Sequence, residues 1–186
     1  MILQRMSASE YLRSEELSAF RRKYVGGFAY PLHGGTADTA GTSAAHNLIG
    51  GSIAAALLVP ARLRGLRVSA FTLRLAIPAA LSFYYPDVMV FPSGPDAGQV
   101  SGPLVLVEVL SEHTALRDRL EKYAAYTALP GLLAYLIVEQ TEQRVYVYTR
   151  EEESWGSEDL AGSGSIDLTC LGVRLSLDEI YECVSG

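Results

Sequence analysis

Cysteine is scarce: Cys170 and Cys183 are the two in 186 residues, with no CxxC pair and no histidine beside either. Neither a disulfide framework nor a zinc site is supported, and both read as buried thiols or surface accidents. Positive charge is scarce as well. Fifteen Lys and Arg stand against 21 Asp and Glu, a formal charge of −6. That balance excludes nucleic-acid binding through a generally basic surface and leaves room only for a local site. Long apolar runs are missing too, since the uncharged, wholly apolar stretch 53–61 is far shorter than the roughly 20 residues that cross a bilayer. No membrane segment is expected. The opening residues 1–6 lack the apolar block and small-residue cleavage site of an export signal, so a cytoplasmic location is expected.

What the chain has is apolar material. Apolar residues make up 49% and charged residues only 19%, which predicts a well-filled core and argues against disorder. The length fits a single domain over residues 1–186. Ser7 and Glu10 have capping-box spacing and predict a first helix, and Ser176 with Glu179 repeats the signal near the end. Residues 24–30 read as a strand with a glycine-marked bend. Residues 42–59 have helical spacing through Leu48, Ile49, Ile53, Leu57 and Leu58, with Pro60 marking the end of a largely buried helix.

Residues 67–77, 84–91 and 104–110 read as three strands of one sheet, followed by a helix over 114–128 that ends before Pro130-Gly131. Residues 132–139 and 144–149 predict a hairpin, and 151–165 a loop or weak edge strand. The expected fold is mixed α and β, a central sheet flanked by helices.

Six of the seven residues 104–110 are apolar, the pattern of a strand covered on both faces, and Glu108 is the exception. A carboxylate in such a strand costs several kcal/mol unless something compensates it. An ion pair with Arg74 or Lys122, a proton, or a metal ion would each serve. Asp87 follows Pro86, which confines it to a strand start, an edge or a bulge. Alone it reads as a turn residue. Paired with Glu108 on the next strand, it has the oxygen chemistry that suits a hard cation such as Mg²⁺ or Mn²⁺. Lys122 stands four residues after Asp118. It makes either an exposed helical ion pair or a cation directed along the sheet, where it would orient water or meet charge on a phosphate. His46, on a mostly apolar helix, reads first as a structural histidine. The basic groups Arg21-Arg22-Lys23 and Arg62, Arg64 and Arg67 read as solvated surface.

Four segments carry a family likeness: Tyr84-Tyr85-Pro86-Asp87-Val88; Leu106-Val107-Glu108-Val109-Leu110-Ser111; Asp118 with Lys122 and Tyr126; and Leu129-Pro130 before Ala134-Tyr135-Leu136-Ile137-Val138. In their order and spacing the chain resembles the Uma-type endonuclease family of the restriction-endonuclease-like PD-(D/E)XK superfamily. The resemblance implies that Asp87 and Glu108 bind Mg²⁺ or Mn²⁺, with the Val109 carbonyl as a further ligand. It implies metal-assisted hydrolysis of a phosphodiester, with nucleic acid, DNA ahead of RNA, as partner, and a homodimer without an assigned interface. Lys122 takes the lysine role, because the superfamily's usual position, two residues after the glutamate, is Leu110 here. His46 matches a histidine on the family's second helix and so lines the same site.

Two departures stand out. The family's Tyr-Val-Asp-Gly-Glu is Tyr24-Val25-Gly26-Gly27-Phe28 here, and an aspartate before the Arg-bearing strand is replaced by Ala70. Loss of peripheral acids leaves a second expectation open, a catalytically degenerate member that acts as a binding or assembly module.

Overall fold

The structure is a computed structural model that describes residues 5–32, 43–94, 98–110 and 116–184, without the side chains of 116–118. Helix α1 (Ala8–Glu16) begins at the Ser7 capping box, in which Ser7 and Glu10 satisfy each other's backbone N–H groups. Strands β1 (Arg22–Val25) and β2 (Phe28–Pro31) pair antiparallel across Gly26 and Gly27, whose φ angles of +60° and +87° are the left-handed values that a tight hairpin requires. The segment read as one bent strand is therefore a hairpin.

Helix α2 (Ala44–Leu63) is capped by the Ser43 hydroxyl, which accepts from the His46 N–H at 3.0 Å. It runs through Pro60 to Leu63 instead of ending there. Proline in the last turn forfeits one hydrogen bond, a small loss next to the burial of Leu57 and Ala61 on either side of it. The strands that follow are β3 (Leu66–Ala70), β4 (Arg74–Ile77), β5 (Ser82–Tyr84), β6 (Val88–Pro92), β7 (Gln99–Val100) and β8 (Val105–Val109). Helix α3 (Leu116–Thr127) precedes β9 (Ala134–Val138), β10 (Arg144–Glu151), β11 (Ser154–Ala161), β12 (Ser165–Leu168) and β13 (Val173–Ser176). A short helix α4 (Leu177–Tyr181) follows directly on the Ser176 capping box.

These strands make two large sheets and a hairpin rather than one sheet. One sheet has the order β2-β1-β5-β4-β7, the second β11-β10-β9-β8-β6-β3, and β12 pairs with β13. The run 67–77 divides because the chain leaves the six-stranded sheet after Ala70 and enters the five-stranded one at Arg74, turning through Phe71 at φ +64°. The run 84–91 divides in the same way at Tyr85-Pro86-Asp87. Residues 82–90 are buried without interruption and apolar residues lie on both sides of the Phe71 turn, so apolar content alone does not reveal either break.

The six-stranded sheet is covered on both faces. On one side Val105, Val107 and Val109 pack with Ile49, Ile53, Leu57 and Ala61 of α2 and with Leu177 and Ile180 of α4. On the other, Leu106, Tyr135 and Ile137 pack with Tyr126 and Leu129 at the end of α3 and with Leu75, Ile77 and Tyr84 of the five-stranded sheet. Only one stripe of α2 is buried. Leu48, Leu58, Val59 and Leu63 lie exposed, which corrects the expectation of a largely buried helix. Among the described residues α2 is the one helix long and apolar enough to cross a membrane by length and composition.

Candidate active site

Val88 pairs with Val107 in the antiparallel β6–β8 ladder, and continuing that register by one pair sets Asp87 across from Glu108. Two acids thus stand side by side at one end of the sheet. Glu108 is 5% exposed and Asp87 9%. From α3, the Lys122 ammonium donates to Glu108 Oε2 at 2.7 Å, and one turn further the Tyr126 hydroxyl donates to Oε1 at 2.8 Å. From β8 itself, the Val109 N–H donates to Asp87 Oδ2 at 2.7 Å, and from α2 His46 Nε2 lies 3.3 Å from the same oxygen. Both helices that sandwich the sheet therefore contribute to one polar cluster.

The electrostatics follow from burial. Desolvation pushes the Glu108 carboxyl above the ordinary carboxylate range; Lys122 opposes this, and the neighbouring Asp87 charge adds to it. Burial by itself would lower His46. The hydrogen bond to Asp87 and the charges of Asp87 and Glu108 outweigh it, so the imidazole is more basic than usual. Desolvation and the Glu108 charge hold the Tyr126 hydroxyl well above its ordinary pKa, which keeps it a hydrogen-bond donor.

Asp87, Glu108, Lys122, His46 and the Val109 backbone, each singled out from the sequence, are thus brought together. Of the two cations named for Glu108, the structure pairs Lys122 and not Arg74, which reaches toward Gln99 instead. The alternative Lys122 partner, the Asp118 side chain, lies outside the described residues. Sequence reasoning assigns Tyr126 no role. Its spacing of four from Lys122, which puts both on one helix face, is the signal that points to it. The basic residues near the N-terminus are engaged: Arg22 pairs with the buried Glu15 at 2.9 Å, Lys23 with Glu121 at 3.1 Å, and Arg21 lies over the Tyr85 ring.

Comparison with known proteins assigns the chain. The family model Uma2, described as "Putative restriction endonuclease", matches residues 10–178. The chain belongs to the Uma2 family. Its relatives include the uncharacterized protein sll1609 of Synechocystis sp. (strain ATCC 27184 / PCC 6803 / Kazusa), 30% identical over 166 residues, 86% of this chain and 90% of that protein. Protein slr1290 of the same organism is 27% identical over 183 residues, covering 95% and 92%. The fold is similar to that of a crystal structure from Anabaena variabilis ATCC 29413, described as "a putative nuclease belonging to DUF820", with a TM-score of 0.75 at 15% identity over 96% of this chain and 98% of that one. The Uma2 chain thus has a nuclease-like, mixed α+β fold.

Proposed function

We propose that this Uma2 protein is a divalent-metal-dependent endonuclease that hydrolyses phosphodiester bonds in nucleic acid, with DNA as its substrate. The observation that carries the reading is the pairing of Asp87 with the buried Glu108, two acids on adjacent strands with one lysine alongside. The donor set suits Mg²⁺ or Mn²⁺: carboxylates from Asp87 and Glu108 and the carbonyl of Val109 are all hard oxygens. Each carboxylate oxygen also has two lone pairs, so the bonds from Tyr126, Lys122, Val109 and His46 leave acceptor capacity on both groups. A cation held there would polarise the phosphodiester and favour deprotonation of water at neutral pH.

The protein's own groups have separable tasks. Lys122 fixes a positive charge beside Glu108, from which it can orient an attacking water or meet charge developing on phosphate oxygens. His46 and the Val109 N–H hold Asp87 Oδ2. Tyr126 fixes the Glu108 rotamer from the opposite oxygen.

A degenerate, non-cutting member is the second reading, and one observation favours it. Phe28, which opens β2, and Ala70, which closes β3, stand where the resembled pattern has acids. Nicking of supercoiled plasmid with Mg²⁺ or Mn²⁺ separates the two. The endonuclease reading expects nicks that disappear in Asp87→Asn, Glu108→Gln and Lys122→Met. Intact plasmid with folded wild-type protein at saturating metal selects the degenerate reading.

A further inference from the structure

Phe71 combines features that the reading above leaves unused. Its backbone is left-handed at φ +64°, a conformation that a bulky residue rarely adopts and that persists only where its surroundings over-determine it. Its N–H donates to the Asp87 carbonyl oxygen at 2.8 Å. Its ring lies across Gly50 so closely that a Cβ at Gly50 would come within 2.5 Å of Cζ and 2.9 Å of Cε1. One turn earlier on α2, the His46 ring centroid is 5.9 Å from that of Phe71, at an interplanar angle of 43°.

We propose that Phe71 is a positioning residue for Asp87: wedged between Gly50 and His46, it sets the imidazole against Oδ2 while its own N–H anchors the aspartate backbone. Asp87 needs such a hold. It lies between Pro86 and the first residue of β6, at the end of the β3–β6 and β6–β8 registers, where the Phe71 N–H supplies the closing ladder bond but does not itself fix the carboxylate. The wedge therefore grips the residue twice, at its carbonyl through the Phe71 N–H and at its carboxylate through His46. Gly50 supplies the seat. Glycine weakens the interior of a helix, and the ring gives this position a reason to lack a side chain. A Cβ at the adjacent Gly51 would meet nothing within 4 Å beyond the helix's own backbone, so that position provides an internal control.

The inference rests on the proposed role of Asp87, but its geometry is testable without any activity. The His46 ring resonances, assigned by comparison with His46→Gln, are recorded by NMR on the full metal-free chain, and Mg²⁺ affinity is measured by calorimetry. Gly50→Ala should displace the ring, shift the His46 resonances and weaken Mg²⁺ binding about tenfold, the usual scale for a group that orients a ligand. Its melting temperature should change little, because the better helix propensity of alanine offsets part of the cost of displacing the ring. Gly51→Ala should leave the resonances and the affinity unchanged. In a Phe71→Leu background, whose shorter side chain lacks the clashing atoms, Gly50→Ala should cause no further shift.

Unchanged His46 resonances in Gly50→Ala overturn the proposal. So does an equal shift in Gly51→Ala, or an equal shift with Leu at position 71. Wild-type protein that neither binds Mg²⁺ nor nicks DNA would refute the functional reading, while the resonance comparison would still decide the role of Phe71.

Discussion

Removing the Lys122 ammonium would leave the Glu108 carboxylate buried with its hydroxyl partner, Tyr126, and without its cation. Breaking one side of a buried pair costs roughly 3 kcal/mol or more, so Lys122→Ala should lose about that much in urea unfolding. The loss should depend on pH. Burial holds the Glu108 carboxyl above its ordinary value while Lys122 opposes that shift. A carboxyl raised in the folded state contributes stability below its unfolded pKa, about 4.3, and loses it as pH rises through the folded value. Without Lys122 the folded value climbs further, so the deficit relative to wild type should widen as pH increases from about 5 to about 8. Equal deficits at both ends would mean that the lysine is not the compensating charge. Much at this scale was legible: six apolar neighbours in the segment 104–110 marked Glu108 as buried, and Pro86 confined Asp87 to a strand start, an edge or a bulge. Phe71 was not legible, because its importance lies in a backbone angle and in a contact with a glycine 21 positions earlier, neither of which has a sequence period.

Among the elements, α2 gives the sharpest test of packing. Leu57 is fully buried against the six-stranded sheet, whereas its neighbour Leu58 is 53% exposed. Leu57→Ala should therefore cost about 2–5 kcal/mol and Leu58→Ala within about 0.5 kcal/mol of nothing, measured by thermal or urea unfolding. Similar losses at the two sites would place the helix differently. Apolar spacing announced this helix but not which of its residues face solvent, since an Ala- and Leu-rich helix is apolar around most of its circumference and only tertiary contacts select the inner stripe. Both capping boxes were readable because each is a local pair, Ser7 with Glu10 and Ser176 with Glu179, that needs no distant partner. The breaks at Phe71 and at residues 85–87 were not. Alternation reports which face a residue takes, not which sheet the strand joins, and the division into two large sheets arises from contacts between distant parts of the chain.

In the whole molecule, the layer order converts separate residues into a site. The six-stranded sheet sets Asp87 beside Glu108, α2 brings His46 from one face, and α3 brings Lys122 and Tyr126 from the other. A cation that binds this arrangement and not the unfolded chain must stabilise the fold, by about 2.7 kcal/mol at a concentration 100 times its dissociation constant. Calorimetric titration of the metal-free protein with Mn²⁺, paired with melting curves at the same concentrations, tests the central claim most directly. The account predicts saturable binding with a matching rise in melting temperature, both abolished in Asp87→Asn and in Glu108→Gln while those variants remain folded. Absence of binding to wild-type protein, or equal binding and equal stabilisation in the two variants, would contradict it.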